Sequence, residues 1–142
     1  MSKITPPKWF NAVVLIALVW NLIGLYFFLN DLNMSPEDFA QKPAAEQELL
    51  NNIPLWSTLA YALGVFGGSI GCFVLLKKKA WSMMALLISL VAVIAQMGYW
   101  LFFTTAVEVY GTSAYGMPMM VILIAYFLLR LSNNGIKKGY LT

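Results

Sequence analysis

The sequence has no histidine and a single cysteine, Cys72. A Cys/His zinc site, an internal disulfide and any catalytic dyad built on histidine are therefore excluded. Charge is also scarce: 11% of the 142 residues are charged, against 61% hydrophobic. A soluble domain carries about a quarter charged residues. A water-soluble globule of this length would lack the polar surface to cover itself. Cys72 stands inside an apolar run and reads as a small packing residue.

The few charges are clumped, and they leave uncharged runs at 9–30, 49–76, 80–107 and 109–129. Each reaches the roughly 20 residues that a helix needs to cross the hydrocarbon core of a bilayer. The expected fold is all-α, an integral membrane up-down four-helix bundle forming a single domain over 1–142. Its helices are predicted at about 9–30, 54–76, 81–104 and 114–132, with an outer cap over 31–53. The first run follows Lys3 and Lys8, the basic start that a signal peptide also has. It is longer than the usual apolar region of a signal and no small-x-small site follows it, so a retained span is expected.

In this topology Lys3, Lys8, Lys77, Lys78, Lys79, Arg130, Lys137 and Lys138 share one side. Lys42 and all six acids, Asp31, Glu37, Asp38, Glu46, Glu48 and Glu108, fall on the other. The positive-inside rule then places both termini and the lysine loop in the cytoplasm. The net charge of +3 is an average over two unlike sides. It points to anionic lipid headgroups as partners and not to nucleic acid.

The outer connection carries helix signals of its own. Ser35-Pro36-Glu37-Asp38 combines a capping serine, a first-turn proline and two acids. The segment 43–50 is a second helix former, so one or two short amphipathic helices should lie over the outer end. Pro54 suits the first turn of the second span, and Trp9, Trp56 and Trp81 suit the membrane interfaces. The connection around Glu108 is expected to be a short loop. Asn133-Asn134-Gly135 is the expected stop of the last helix.

Glycine is concentrated in Gly64-Val65-Phe66-Gly67-Gly68-Ser69-Ile70-Gly71-Cys72. Ala60, Gly64 and Gly68 lie four apart, and Gly67 and Gly71 repeat that step. On a helix this spacing makes a smooth stripe that a neighbouring backbone can approach closely. A phosphate loop needs a strand-loop-helix setting with lysine directly after the last glycine. Here five residues separate Cys72 from the lysines, counting Cys72 itself. Helix packing is the reading that fits.

The polar side chains within the spans are the candidate binding residues. Gln96 is the most central in the third span, and Asn21 lies at similar depth in the first. An amide in lipid has to find a partner, so Gln96 is expected to face inward and pair with Asn21, or with Ser57, Thr58 or Ser69. Ser89, Ala92, Gln96, Tyr99 and Phe103 trace one helical face. Glu108, with Tyr99, Tyr110 or Tyr115, is a candidate solute contact at the outer mouth. Asn21 precedes Phe27-Phe28 at the spacing by which Gln96 precedes Phe102-Phe103, a single weak internal echo. No acid or base stands deep within a span. Met117-Pro118-Met119-Met120 lacks an accompanying histidine or cysteine and reads as helix-start packing, so no metal site and no cofactor are expected.

Several segments together resemble a known group. They are Trp20-Asn21-Leu22-Ile23-Gly24, Phe66-Gly67-Gly68-Ser69-Ile70-Gly71-Cys72, Gln96-Met97-Gly98-Tyr99, Glu108-Val109-Tyr110-Gly111 and Lys138-Gly139-Tyr140-Leu141. The chain resembles small uncharacterised bacterial four-transmembrane-helix proteins, often auto-labelled "sugar transporter". The resemblance spans nearly the whole chain and implies a bacterial inner (cytoplasmic) membrane location. It supplies no site residues. It does not extend to the three-helix sugar carriers, which use a Pro-Gln pair, because Ala95 precedes Gln96 here. Nor does it extend to the small multidrug exporters, which place a glutamate within their first helix.

Two functions remain. One is a small-solute transporter-like protein acting as an oligomer, because four helices enclose little space. The other is a non-catalytic accessory or scaffold subunit that holds a larger membrane partner through the glycine stripe or the outer cap. No nucleophile-base pair, metal set or carboxylate pair converges in the sequence, so an enzyme is not expected. The bundle interior discriminates the two: a polar cavity touching Asn21 and Gln96 favours a carrier, and a sealed bundle with an exposed glycine stripe favours a scaffold.

Overall fold

The computed structural model describes residues 4–142, and Lys3 lies outside them. Helix α1 spans Lys8–Leu32, α2 Pro36–Ala40, α3 Ala44–Asn51, α4 Leu55–Leu76, α5 Ser82–Phe102, α6 Ala106–Tyr110 and α7 Gly116–Lys137. A 3₁₀ turn over Gly111–Tyr115 joins α6 to α7. The long apolar helices α1, α4, α5 and α7 are each able to cross a membrane, so the chain is a multi-pass, all-helical four-helix bundle.

Local chemistry sets the helix ends. Pro7, Pro43 and Pro54 each stand just before a helix, where a fixed φ helps and a missing N–H costs nothing. Ser35 Oγ accepts the Asp38 N–H at 3.1 Å and caps α2. Gln47 Nε2 donates to the carbonyl oxygens of Lys42, at 2.7 Å, and Ala40, at 3.2 Å, fastening α3 to the end of α2. The connection near Glu108 is not the expected short loop: it contains α6 and the 3₁₀ turn. Asn133-Asn134-Gly135 does not stop α7 either. The helix continues to Lys137 and ends at Gly139, whose φ of 81° lets the Tyr140 N–H reach back to the Gly135 carbonyl oxygen at 2.8 Å. Gly135 itself is buried, and a Cβ there would lie 3.2 Å from Leu141.

The long helices form a curved row. α1 packs along α4, α4 along α5 and α5 along α7, whereas α1 and α7 touch sparsely. The glycine stripe lies inside this row. A Cβ at Gly64 would sit 2.8 Å from Val93 Cγ2, and one at Gly71 only 2.6 Å from Leu86 Cδ2. Gly67 faces Ser89 and the Ala85 carbonyl oxygen. Gly68 turns toward α1, where a Cβ would collide with the Asn21 side-chain oxygen. Two buried hydroxyl contacts join helices: Ser89 Oγ donates to the Gly64 carbonyl oxygen at 2.7 Å, and Ser82 and Ser132 share a 2.8 Å bond between α5 and α7.

The two ends of the bundle differ. At the end bearing Lys77–Lys79, the fully buried side chains Phe10, Val14, Leu75, Leu86 and Leu128 form a closed core. The last residues fold onto it. Leu141 enters the core, Tyr140 packs edge-to-face on Phe10 at 5.7 Å, and the Thr142 N–H donates to the Lys78 carbonyl oxygen at 2.9 Å. Lys78 adopts a φ of 62° and ties this end together: its ammonium donates to Asn11 Oδ1 and to the Leu76 carbonyl oxygen, 5.4 Å from the Phe10 ring. At the other end α2 and α3 form the cap. Around the outside, Ile16, Leu59, Val91 and Leu123 are all more than half exposed, as lipid-facing residues are.

Gly71→Ala is expected to destabilise the bundle by about 1–3 kcal/mol, because Leu86 has little room to retreat. Gly98→Ala meets open space and should stay within about 0.5 kcal/mol. Reversible unfolding in mixed micelles measures both; equal stabilities would refute the close α4–α5 contact.

Candidate functional site

Where α1 and α7 part, the row of helices leaves an inner chamber of 390 Å³ near the middle of the long helices. A second chamber of 840 Å³ lies beneath the cap. The two meet at Asp31, Tyr61, Gln96, Met97 and Met117, which line both. Both volumes fall in the range of small-molecule pockets. The inner chamber ends on Asn21, Gly68 and Ser89, above the closed core. Its walls are apolar, with Trp20 and Phe27 from α1, Val93 from α5, and Val121 and Ile124 from α7.

Asn21 is fixed by its own side of the bundle. Its Nδ2 donates to the Ala17 carbonyl oxygen at 2.8 Å and to Cys72 Sγ at 3.6 Å. The Oδ1 atom lies against Gly68 and accepts no hydrogen bond among the described residues. Gln96 is half-buried, and its side chain makes no hydrogen bond among them. The expected Asn21–Gln96 bond is thus not made, although both amides reach the same chamber. The reason is axial: Asn21 lies level with Gly68 and Ser89 at the chamber floor, whereas Gln96, two helical turns beyond Ser89, stands where the two chambers meet. Of the alternative partners, Ser69 donates to the Val65 carbonyl oxygen of its own helix at 2.7 Å.

Two other candidates stand outside both chambers. Tyr99 packs on Trp56, with ring centroids 4.9 Å apart, and stacks with Phe103 at 6.2 Å. Three residues along a helix turn Tyr99 about 60° away from Gln96, enough to take it off the chamber wall. Glu108 is exposed on α6. Tyr110 lies two residues on, on the opposite side of that short helix, and it lines the outer chamber instead.

The structure adds residues that sequence reasoning did not single out. Asp31 and Tyr61 join the two chambers, and Lys42 and Glu46 line the outer one. A signal for Asp31 exists: Asn21, Gly24, Phe28 and Asp31 follow at i, i+3, i+7 and i+10, one face of α1. Lys42 and Glu46 are four apart and pair at 3.2 Å. Pairing across the connection between the two short helices gave no comparable pattern. Among the described residues no group of three or more His, Cys, Asp or Glu side chains is placed to hold a metal ion.

The neighbouring Tyr110 hydroxyl holds Glu46 below its ordinary value of 4.5; desolvation opposes this, and the paired Lys42 reinforces it. Here α3 and α6 pack against each other. The chambers together offer apolar walls, the amides Asn21 and Gln96, the phenols Tyr61 and Tyr110, and the charged side chains Asp31, Lys42 and Glu46. Such a lining can solvate a small molecule. The chain matches no protein-family model, no curated protein and no solved structure.

Tyr110→Phe should raise the Glu46 pKa back toward 4.5, and Lys42→Met should raise it less. Carboxyl ¹³C NMR titration reads both. Because the folded value is depressed, the contribution of this carboxylate to stability is present above 4.5 and is lost as pH falls through the lower folded value. An unshifted Glu46 in Tyr110→Phe would refute the link.

Proposed function

We propose that the chain is a small-solute transporter-like protein of a bacterial inner membrane, acting as an oligomer, with both termini cytoplasmic. The observation that carries this reading is the capped path into the bundle: an outer chamber that meets an inner one touching both Asn21 and Gln96. An amide left without a protein partner within a span is an unfavourable feature unless something else occupies its hydrogen-bonding groups. A solute, or the water that precedes it, meets that need at Gln96. The basic residues cluster at the closed end and the acids at the capped end, which supports a cytoplasmic closed end and contact with anionic headgroups there. An oligomer supplies the second body against which a four-helix chain can move to expose the site alternately.

The accessory-subunit reading draws no support from the glycine stripe, since Gly64, Gly68 and Gly71 are buried within the bundle. The cap remains the surface on which that reading would rest.

The test is uptake into proteoliposomes, screened over sugars, small ions and small organic solutes. Saturable uptake is expected. Gln96→Leu should reduce apparent affinity or rate about fivefold to tenfold, the effect of losing one neutral hydrogen bond in a desolvated site. Absence of uptake for every solute, together with a co-purifying membrane protein, would overturn the transporter reading in favour of the accessory one.

A further inference from the structure

The chemistry of the chambers narrows the solute. A sugar needs a dense set of hydrogen-bonding groups around its ring. The inner chamber provides few, and Ser89 has already given its proton to Gly64. Its walls are aromatic and aliphatic, with Trp20, Phe27, Val93 and Ile124 prominent. Polar groups gather instead where the chambers meet, at Asp31, Tyr61 and Gln96. The space therefore has an apolar body and a polar mouth.

The charge at that mouth is uneven. The ionised side chains that line the two chambers are Asp31, Lys42 and Glu46. Lys42 is the cation that acts on Asp31, but it is bound to Glu46 at 3.2 Å. Lys42 and Glu46 cancel, so one negative charge remains, on Asp31. The Asp31 carboxylate makes no ion pair or hydrogen bond among the described residues. Next to it Tyr61 offers an aromatic ring, which is attractive to a cation.

We propose that the joined chambers are a binding site for a lipophilic monocation, with its apolar body in the inner chamber and its charge against Asp31. This rests on the solute-binding reading above and assigns the class of solute. The carboxylate supplies the Coulombic attraction at the edge of low-dielectric surroundings. The apolar walls supply the larger, non-directional part of the affinity. The parting of α1 from α7 toward the cap leaves the body of such a ligand room between helices.

The experiment uses the full chain in phosphatidylcholine nanodiscs and measures binding of tetraphenylphosphonium by equilibrium dialysis against empty nanodiscs. Tetraphenylborate serves as the anionic probe of similar shape, and triphenylphosphine oxide as the neutral one. Saturable binding of the cation is expected, with the anion bound at least about tenfold more weakly. Asp31→Asn should weaken the cation about tenfold or more and leave the neutral probe unchanged. Glu48→Gln, on the exposed side of α3, should change neither. Val121→Trp, which fills the inner chamber from α7, should weaken cation and neutral probe together, so the proposal stays testable if Asp31→Asn fails to fold. Absence of saturable cation binding, equal binding of cation and anion, or an unchanged affinity in a folded Asp31→Asn protein would each overturn it. Uptake of a neutral solute for which the cation does not compete would overturn the cation assignment alone and leave the transporter reading standing.

Discussion

Gly64, Gly67 and Gly71 leave no side chain between α4 and α5, so Ser89 can reach the Gly64 carbonyl oxygen across the helix interface. This approach makes α4 the hub of the bundle. With α5 drawn against one side, the same helix offers Gly68 to Asn21 on the other and seats α1 there. The helices α1, α4, α5 and α7 then form a row that closes on itself only where Phe10, Val14, Leu128 and Leu131 meet. Elsewhere α1 and α7 stand apart, and the chamber between them is a consequence of that close approach. Apolar surface contributes little to helix association within lipid, so contact of small residues and shared hydrogen bonds hold such an interface.

Close packing and open space are therefore divided along the bundle axis. The closed end holds the fully buried side chains, the Ser82–Ser132 bond and the returning tail with Leu141. The capped end is hollow and polar, and its short helices are fastened by the Gln47 bonds and the Lys42–Glu46 pair. A packed interior at one end lets the other remain open without loss of the fold. Polar groups in the spans are met in two ways: Asn21 and Ser69 donate to carbonyl oxygens one helical turn back, and Ser82, Ser89 and Ser132 bond across helices. Gln96 departs from both patterns: it lines the two chambers where they meet, and its side chain makes no hydrogen bond among the described residues.

Much of the architecture was legible from the residues. Uncharged runs marked the four long helices, and Ser35-Pro36 marked the start of the cap. These are local signals, set by the cost of a charge in lipid and by capping geometry. The errors share a different cause. Asn133-Asn134-Gly135 looked like a stop, but packing of the buried Gly135 against Leu141 carries the helix two residues further, and the positive φ falls at Gly139. Asn21 and Gln96 hold equivalent positions in their own helices, but the packed helices set Asn21 level with Ser89 and leave Gln96 two turns nearer the cap, a register that position within a single helix does not record. Tyr99 and Glu108 were grouped by proximity in sequence, and helical rotation turned each of them away from the chambers. Asp31 was read as one more acid on the outer side, because its place at the junction depends on where Tyr61 and Gln96 come to lie.

By itself the sequence determined that this chain crosses a membrane, how many times it crosses, and which end carries which charge. Those properties follow from hydrophobic length and charge placement, which are read one segment at a time. Only the tertiary structure decided that the glycine stripe faces inward and that the bundle is closed at one end and hollow at the other. It also decided that Asp31, Tyr61 and Gln96 gather around one mouth. Those properties depend on the order and rotation of helices around one another. Side chains on α1, α4 and α5 set that order jointly, and no single helix records it.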